Sequence, residues 1–394
     1  MIVDLPSTST TTVSKRLVRL RHEAGAMTLG RVLTLVIVCD DSNVDEAIEA
    51  ANDASHQHPC RIVVLVRANK RGANRLDAQI RVGGDAGASE VIVLRLYGRL
   101  ADHGQRVVLP LLLAGSPVVA WWPENAPKDV ANSPLGRIAQ RRITDAAAAA
   151  NPQRELARRA ESYAPGDTDL AWTRITLWRG LLAAALDQPP FEPVLEATVS
   201  GASDSPSTDL LGGWLAEKLK CRVNRARGRA GTGISSVRLE RASGPVDLVR
   251  PDGSVATLSQ TGQPIRRISL ARRSTAQCLA DELRRLDPDE TYAEALTRGV
   301  AVVRSRKAVT IGEVVADGEA PSPEEARREA ERIARSTRRL GSSRMVEEEP
   351  QADGHDEAAV HEAATRKLEA KSAGRSDSGQ VRSGKSGKSG TDQA

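Results

Sequence analysis

The sequence predicts an α/β fold of mixed α+β character, in which two mixed-sheet domains pack with helices and a disordered low-complexity tail follows. Short β-branched apolar runs alternate with segments of helical spacing, which is typical of sheets covered by helices. The chain has 394 residues with a hydrophobic share of 40%, enough for two cores of ordinary size. Beyond residue 340 the composition turns to Ser, Gly and charged residues, which indicates disorder.

The first domain is predicted over residues 1–155. Residues 31–39 (RVLTLVIVC) predict a buried strand, and a helix should follow whose first turn is capped by Asp41 or Ser42. Further strands are predicted at 61–66, 78–82, 90–96 and 118–122, the second and third of them as an antiparallel pair.

The second domain is predicted over residues 165–300, with α+β character. It should begin with a helix over 170–186 that buries Ile175, Trp178 and Leu182 on one face. Later helices are expected at 209–219, 275–286 and 292–300, and strands at 194–199, 237–239, 246–250, 254–258 and 265–270. A short strand and charged helix should follow at 301–340, and a disordered tail at 341–394.

A tryptophan pair and a basic segment are the first candidates for partner contact. Successive residues of a strand point to opposite faces, so one of Trp121 and Trp122, before Pro123, is expected to be exposed. Tryptophan is enriched in interface hot spots, so partner contact competes evenly with core packing. Nearby Arg137, Arg141 and Arg142 form a basic patch for an acidic partner or a sugar phosphate, or else a solvated helix face.

A basic glycine-rich loop is the candidate phosphate site. In RARGRAGTGISS, backbone N–H groups around Gly231 and Gly233, with Arg227 and Arg229, have the chemistry that cradles a phosphate. The residues after the glycines read as a strand, whereas a dinucleotide fingerprint needs a helix there. A solvated hairpin loop is therefore the favoured interpretation, with phosphate binding as the alternative.

Cysteine and histidine patterns give weaker hypotheses. Cys39 and Cys60 are candidate redox residues, because they are expected at ends of neighbouring strands. The HQHPC segment places His56 and His58 before Cys60 but supplies no fourth ligand nearby, so no metal site is predicted.

Charge and motifs exclude several classes of protein. The net charge of +5 comes from 56 basic and 51 acidic residues, a small excess that does not imply nucleic acid. No secretory signal or run of about 20 apolar residues is visible, so we expect a cytoplasmic protein without membrane contact. The absence of GxSxG, HExxH and Walker A motifs lowers the expectation of hydrolase, metalloprotease or kinase chemistry, and no cofactor is predicted.

Long segments resemble one protein family. They begin near residue 4 and end near residue 297, and they include TLGRVLTLVIV, HPCRIVVLV, LDAQIRVGGDAGASEVIVLRLYG, VVLPLLLAGSPVVAWWP, PLGRIAQRRITD, YAPGDTDLAWTRITLWRGLLAAALDQPP and CLADELRRLDPDETYAEAL. These strings are similar to the glucose-6-phosphate dehydrogenase assembly proteins of the OpcA family.

The resemblance implies an assembly factor rather than an enzyme. It suggests that the chain binds glucose-6-phosphate dehydrogenase, promotes its active oligomer and acts as an allosteric activator in the oxidative pentose phosphate pathway. It supplies no catalytic residues. A phosphosugar-binding or sugar-phosphate-processing domain stays open as the alternative, and a nucleic-acid binder that uses the basic tail ranks last.

Overall fold

A computed structural model describes residues 1–23, 31–82, 90–231 and 233–307. It contains two mixed sheets, one of eight strands and one of seven, each packed with helices. The predicted α/β fold of mixed α+β character is therefore confirmed. Both sheets belong to one compact unit, and the limits predicted for the two domains stay a prediction.

The first sheet is parallel at its centre. Its strands are β1 (Ile2–Leu5), β2 (Leu33–Cys39), β3 (Cys60–Arg67), β4 (Arg75–Arg81), β5 (Glu90–Tyr97), β6 (Val118–Trp121), β7 (Arg141–Thr144) and β8 (Asp167–Asp169). Their order is β1-β4-β5-β3-β2-β6-β7-β8. β4 pairs antiparallel with β1 and β5, as predicted for the hairpin, and the strands from β5 to β8 in this order run parallel.

Helices cover both faces of this sheet, because its central strands are apolar on both sides. One face packs against helix α1 (Thr10–Glu23), which buries Val13, Leu17 and Leu20. The opposite face packs against helix α2 (Val44–Ser55). Neither Asp41 nor Ser42 caps α2, because a 3-10 turn over Asp41–Asn43 precedes it and no side-chain cap bond forms.

Two further helices belong to the same half of the chain. They are α3 (Gly104–Val108) and α4 (Pro152–Glu161). Asn151 caps α4 by accepting a hydrogen bond from the Arg154 N–H, and Pro152 occupies the first turn, where its missing N–H costs nothing.

The second sheet is mostly antiparallel. Its strands are β9 (Glu196–Ala202), β10 (Arg222–Gly228), β11 (Ile234–Glu240), β12 (Val246–Val249), β13 (Val255–Gln260), β14 (Arg266–Ser269) and β15 (Arg304–Lys307). Their order is β14-β13-β12-β11-β9-β10-β15. Only β9, β10 and β15 run parallel, and helix α7 (Pro206–Leu219) connects the first two as a βαβ unit.

The remaining helices pack around the two sheets. They are α5 (Leu170–Thr173), α6 (Thr176–Leu186), α8 (Thr275–Arg284), α9 (Glu290–Glu294) and α10 (Val300–Val302), with a π-helical turn over Ala295–Gly299 between the last two. Trp178 and Leu182 of α6, and Ile175 just before it, are buried as the sequence predicted. The prediction of a single helix over 170–186 is wrong, because α5 ends at Thr173 and α6 begins at Thr176.

Helix α8 returns to the first sheet although it follows the second in sequence. Its residues Cys278, Leu279 and Leu283 join the core between α2 and the first sheet. The two halves of the chain therefore share a core element, which sequence periodicity did not indicate.

Two predicted features lie outside the described residues. They are the Gly-Gly-Asp turn that the sequence predicts at 83–85, between the strands of the antiparallel pair, and the chain beyond residue 307, with most of the predicted extension and the whole tail. Within the described ranges, none of the helices combines the length and the apolar character that crossing a bilayer requires.

Candidate functional site

Both tryptophans of the predicted contact segment are buried. Trp121 is 1% exposed and packs on the α2 face of the first sheet, and Trp122 is 2% exposed and packs on the α1 face. They point to opposite faces as predicted, but the expectation that one is exposed is wrong, because both faces of this sheet are covered. Pro123 is half-buried. The tryptophans therefore fill the core and offer no open contact surface.

The basic patch is also divided by the fold. Arg141 and Arg142 lie in strand β7 and are buried, so the solvated helix face expected for them is wrong. Arg141 donates to Glu282 at 2.5 Å and to the Asp287 carbonyl at 2.8 Å, and Arg142 pairs with Asp167. Only Arg137 stays exposed. Two of the three arginines thus hold elements together and do not face a partner.

Cys39 and Cys60 do lie at ends of neighbouring strands, but at opposite ends. β2 and β3 run parallel with Leu33 opposite Cys60, so six residues of strand separate Cys39 from that position. At about 3.3 Å per residue this is roughly 20 Å, far beyond disulfide reach, and the expected thiol pair is wrong. Burial, with nearby Asp40 second, raises the pKa of Cys39 to about 12, which disfavours a reactive thiolate.

A buried ionic network lies at the ends of β7 and β8. Arg174 donates to both oxygens of Asp145, at 2.7 and 2.5 Å. Asp169 is fully buried and accepts from the Thr144 hydroxyl at 2.6 Å and from backbone N–H groups. Burial, with the charge of Asp145 second, raises the pKa of Asp169 to about 6. Through Asp145, the network holds the Arg174 guanidinium in one position.

The basic glycine-rich segment forms strand β10 and the connection to β11. The favoured hairpin interpretation is wrong, because β10 and β11 do not pair: β9 lies between them, parallel to β10 and antiparallel to β11. The side chain of Arg227 is occupied: it donates to the Ser203 carbonyl at 2.9 Å and to the Ser305 hydroxyl at 3.0 Å. Arg229 is exposed. Gly231 and Gly233 have φ angles of 84° and 69°, which glycine adopts without strain. Of these four predicted residues, the two glycines line a cleft.

We call this space the arginine cleft. It has a volume of about 100 Å³ and opens at the carboxyl end of β9. Three arginines line it, together with the first turn of α7, the two glycines and an apolar floor: Arg174, Arg250, Arg272, Asp204, Ser205, Pro206, Ser207, Gly231, Gly233, Ala147, Ile175, Trp178 and Ile234.

The cleft forms where parallel strand pairing changes to antiparallel pairing. β9 pairs with β10 in parallel and with β11 antiparallel, so the chain on either side of the β9 end diverges. Gly201 lets β9 approach the chain just before β11 closely, because a Cβ there would lie 2.5 Å from the Gly233 carbonyl oxygen. Ligands in open α/β sheets bind at such a carboxyl edge, next to a helix start.

The arginines of the cleft differ in their partners. Arg250 is 5% exposed and donates to the carbonyls of Leu270 and Ile234, both at 2.8 Å, and its guanidinium lies 5.1 Å from the Trp178 ring centroid. Its Nε has no hydrogen-bond partner. Burial, with the nearby charge of Arg272 second, lowers the pKa of Arg250. No described carboxylate forms an ion pair with Arg250, whereas Arg174 is neutralised by Asp145.

Sequence reasoning missed the arginines of the cleft. Arg174, Arg250 and Arg272 come from three separate segments, and none lies near the glycines in sequence. One signal was available: Arg250 directly follows the apolar alternation of β12 and so lies at a predicted strand end. The other contacts depend on the tertiary fold.

Two exposed apolar side chains lie near the β14 edge of the second sheet. Phe191 is 77% exposed and Ile265 is 70% exposed. Gln188 accepts from Gln260 at 3.1 Å and from Arg266 at 2.7 Å, which places the segment of Phe191 beside the β13–β14 hairpin that carries Ile265. We call these two residues the Phe191 surface.

Two family models match the chain. The first describes the N-terminal domain of a glucose-6-phosphate dehydrogenase subunit, and it matches residues 51–161. The second describes the C-terminal domain of the same kind of subunit, and it matches residues 165–296. Both carry the OpcA family name, and together they span more than half of the chain. The chain belongs to the OpcA family. The resemblance read from the sequence is therefore confirmed.

Other comparisons add little to the OpcA assignment. A search of curated proteins finds no match. One solved structure, titled "Trehalose-6-phosphate from E. coli bound with UDP-2-fluoro glucose", aligns at 10% identity and a TM-score of 0.20, over 50% of this chain and 65% of that chain. The alignment thus spans less than two thirds of that chain, and a TM-score this low supports no conclusion.

Proposed function

We propose that this OpcA-family chain is a non-catalytic assembly factor that binds glucose-6-phosphate dehydrogenase and promotes its active oligomer. The observation that carries the proposal is the pair of family matches, which assign both halves of the chain to domains named after this dehydrogenase. The same membership supports a role as an allosteric activator in the oxidative pentose phosphate pathway, in the cytoplasm.

The mechanism requires differential binding. An assembly factor shifts an equilibrium only if it binds one oligomeric or conformational state of the enzyme more tightly than the others. A tenfold preference corresponds to about 1.4 kcal/mol of coupling, within the usual range for allosteric effectors. The factor needs no active site of its own for this role.

The Phe191 surface is the contact we propose in place of the buried tryptophans. Both sequence neighbours of Phe191 are held: Arg241 donates to the Pro190 backbone carbonyl at 3.3 Å, and the Glu192 side-chain carboxylate accepts from the Ser243 N–H at 2.9 Å. A rigid, exposed aromatic side chain buries a large area on binding and loses little conformational entropy. These properties favour Phe191 as the centre of a protein contact.

The test measures activity and mass of the cognate dehydrogenase, by assay and by size-exclusion chromatography with light scattering. Adding the wild-type chain should raise both, and the chain alone should not oxidise glucose 6-phosphate. Phe191→Ser should weaken binding by about tenfold while leaving stability within about 0.5 kcal/mol.

A matched control is Ile2→Ser, which removes an apolar side chain that is 51% exposed on the other sheet. Equal behaviour of the two variants would remove the Phe191 surface from the proposal. An enzyme whose activity and mass are unchanged by the wild-type chain would overturn the assembly function itself.

A further inference from the structure

We propose that the arginine cleft binds the phosphate group of a small phosphate monoester. The proposal does not depend on the assembly function, because the site lies within this chain and its ligand is tested without the dehydrogenase. Three features of the cleft support it: a helix start, a buried arginine without a carboxylate partner, and an unpaired arginine at the rim.

The helix start supplies partial positive charge. Helix α7 has 14 residues, and its first turn, Ser205 to Ser207, forms one wall of the cleft. The Ser205 hydroxyl caps the Thr208 N–H, and Pro206 has no N–H, so the N–H of Ser207 is the next one at the helix start without a partner in the helix. Such a start favours an anion, and its dipole adds to the attraction.

The buried arginine is the independent observation that indicates a ligand. Arg250 lines the cleft at 5% exposure, yet it has no carboxylate partner among the described residues and its Nε is unsatisfied. Burying an unpaired charge is costly, and a bound anion would offset that cost. Its Nη2 lies so close to Gly233 that a Cβ there would be 3.7 Å away, so the guanidinium borders the loop of glycines.

The charges at the rim leave a net positive site. Arg272 is exposed and lines the cleft without a hydrogen bond or ion pair to any described residue. Asp204 is the opposing charge: it is exposed and accepts from the Gly231 N–H at 3.1 Å. Because Arg174 is neutralised by Asp145, the residues that line the cleft leave one uncompensated positive charge, from Arg250 and Arg272 against Asp204. Asp252, outside the lining, acts on Arg250 from a distance and reduces this excess, whereas the helix start adds to it.

The size and lining indicate the ligand class. A volume of about 100 Å³ holds several water molecules, since one needs roughly 10–15 Å³, so a phosphate group fits and a dinucleotide does not. The floor beside the arginines is formed by Ile175 and Trp178, an apolar surface for the carbon part of a monoester. Guanidinium groups recognise phosphate oxygens with charge-assisted hydrogen bonds.

The experiment titrates the full-length chain with inorganic phosphate, glucose 6-phosphate and glucose by isothermal calorimetry. Phosphate and the monoester should bind and glucose should not. Arg272→Gln should weaken monoester binding by about tenfold, because an exposed charge and its hydrogen bonds are lost. Asp204→Asn should strengthen binding, because it removes the opposing charge while its side-chain oxygen can still accept from Gly231.

Matched controls separate the site from general charge. Arg267→Gln removes an exposed arginine of β14 outside the cleft and should leave binding unchanged. Arg250→Gln should abolish binding, and Arg241→Gln controls for its loss of a buried guanidinium, since Arg241 is also 5% exposed but lies outside the cleft. If Arg250→Gln fails to fold, the two exposed positions still decide the question.

Two results would overturn the proposal. One is no binding of either phosphate probe by the folded wild-type chain. The other is binding that Arg272→Gln and Arg267→Gln weaken equally, which would mean diffuse charge attraction and no defined site. If the wild-type chain bound no monoester but still promoted dehydrogenase assembly, the cleft proposal would fail and the assembly function would stand.

Discussion

Two groups of buried arginines in this chain have opposite environments. Two arginines have carboxylate partners: Arg141 pairs with Glu282, and Arg174, which also lines the arginine cleft, pairs with Asp145, each at 2.5 Å. Arg250, in the same cleft, is also buried, but it donates to two carbonyl oxygens, lies over an aromatic ring and has no carboxylate partner among the described residues. The same side chain thus serves as a structural cross-link where a carboxylate faces it and as a candidate ligand group where none does.

The comparison shows why burial alone does not identify a functional arginine. A paired buried arginine has its charge compensated, and removing one partner leaves the other uncompensated. An unpaired one retains the capacity to bind an anion. Variants at the two kinds of arginine should therefore differ in stability.

The largest effect is expected at the pair of Arg141 and Glu282. Glu282→Leu leaves the Arg141 guanidinium buried without a carboxylate and should lower the free energy of unfolding by about 3–5 kcal/mol in urea titrations. Glu282 also accepts from the Thr173 hydroxyl, which adds to the loss. The double variant Arg141→Met with Glu282→Leu should recover most of the stability. Exposed Glu290→Leu is the control, and an equal loss there would contradict the cross-link.

The next prediction concerns pH and the network beside that pair. The pKa of Asp169 is raised from 3.8 to about 6, so the folded state holds this proton more tightly than the unfolded chain. Its contribution to stability is full below pH 3.8 and is lost as pH rises through about 6. Wild-type stability should therefore fall between about pH 5 and about pH 7 by more than that of Asp169→Asn.

Urea titrations at the two pH values provide the measurement. Asp53→Asn, on the exposed side of α2, controls for the loss of a carboxylate and should behave as the wild type. A fall that is equal in Asp169→Asn and in the wild type would show that another group causes it.

The smallest effect is expected in the cleft. Arg250→Met gives up two hydrogen bonds to carbonyls but also removes an unpaired buried charge, so the net loss should be about 1–2 kcal/mol. Arg141→Met leaves the Glu282 carboxylate buried without a positive partner, so it should lower the free energy of unfolding by more than Arg250→Met does. Urea titrations of both variants provide the comparison, and equal losses would show that the two environments do not differ energetically.

Many strands could be predicted from the sequence because burial on a sheet leaves a local signal. The runs at Leu33–Cys39 and Cys60–Arg67 are continuous β-branched stretches, and both are strands. Two basic strands were missed. β7 begins with two arginines and β10 contains three, so their composition is typical of a surface, whereas burial of Arg141, Arg142 and Arg225 depends on carboxylates distant in sequence.

The candidate site was only partly visible. Gly231 and Gly233 could be predicted because a glycine-rich turn between basic residues is a local pattern. Arg250 and Arg272 could not, because they follow β12 and β14, and their approach to the α7 start depends on how strands β11 to β14 pair beside β9. For the tryptophan pair, alternation correctly predicted opposite faces, but exposure depends on whether a helix covers each face.

The sequence by itself determined the family, the mixed α/β class and most strand positions, because strand patterns and family motifs are carried by neighbouring residues. Only the tertiary structure decided which groups are buried and with what partners: the tryptophans in the core, Cys39 and Cys60 at opposite ends of parallel strands, and α8 on the first sheet. The physical reason is that burial and charge compensation are properties of contacts between distant segments, and these arise only when the chain packs.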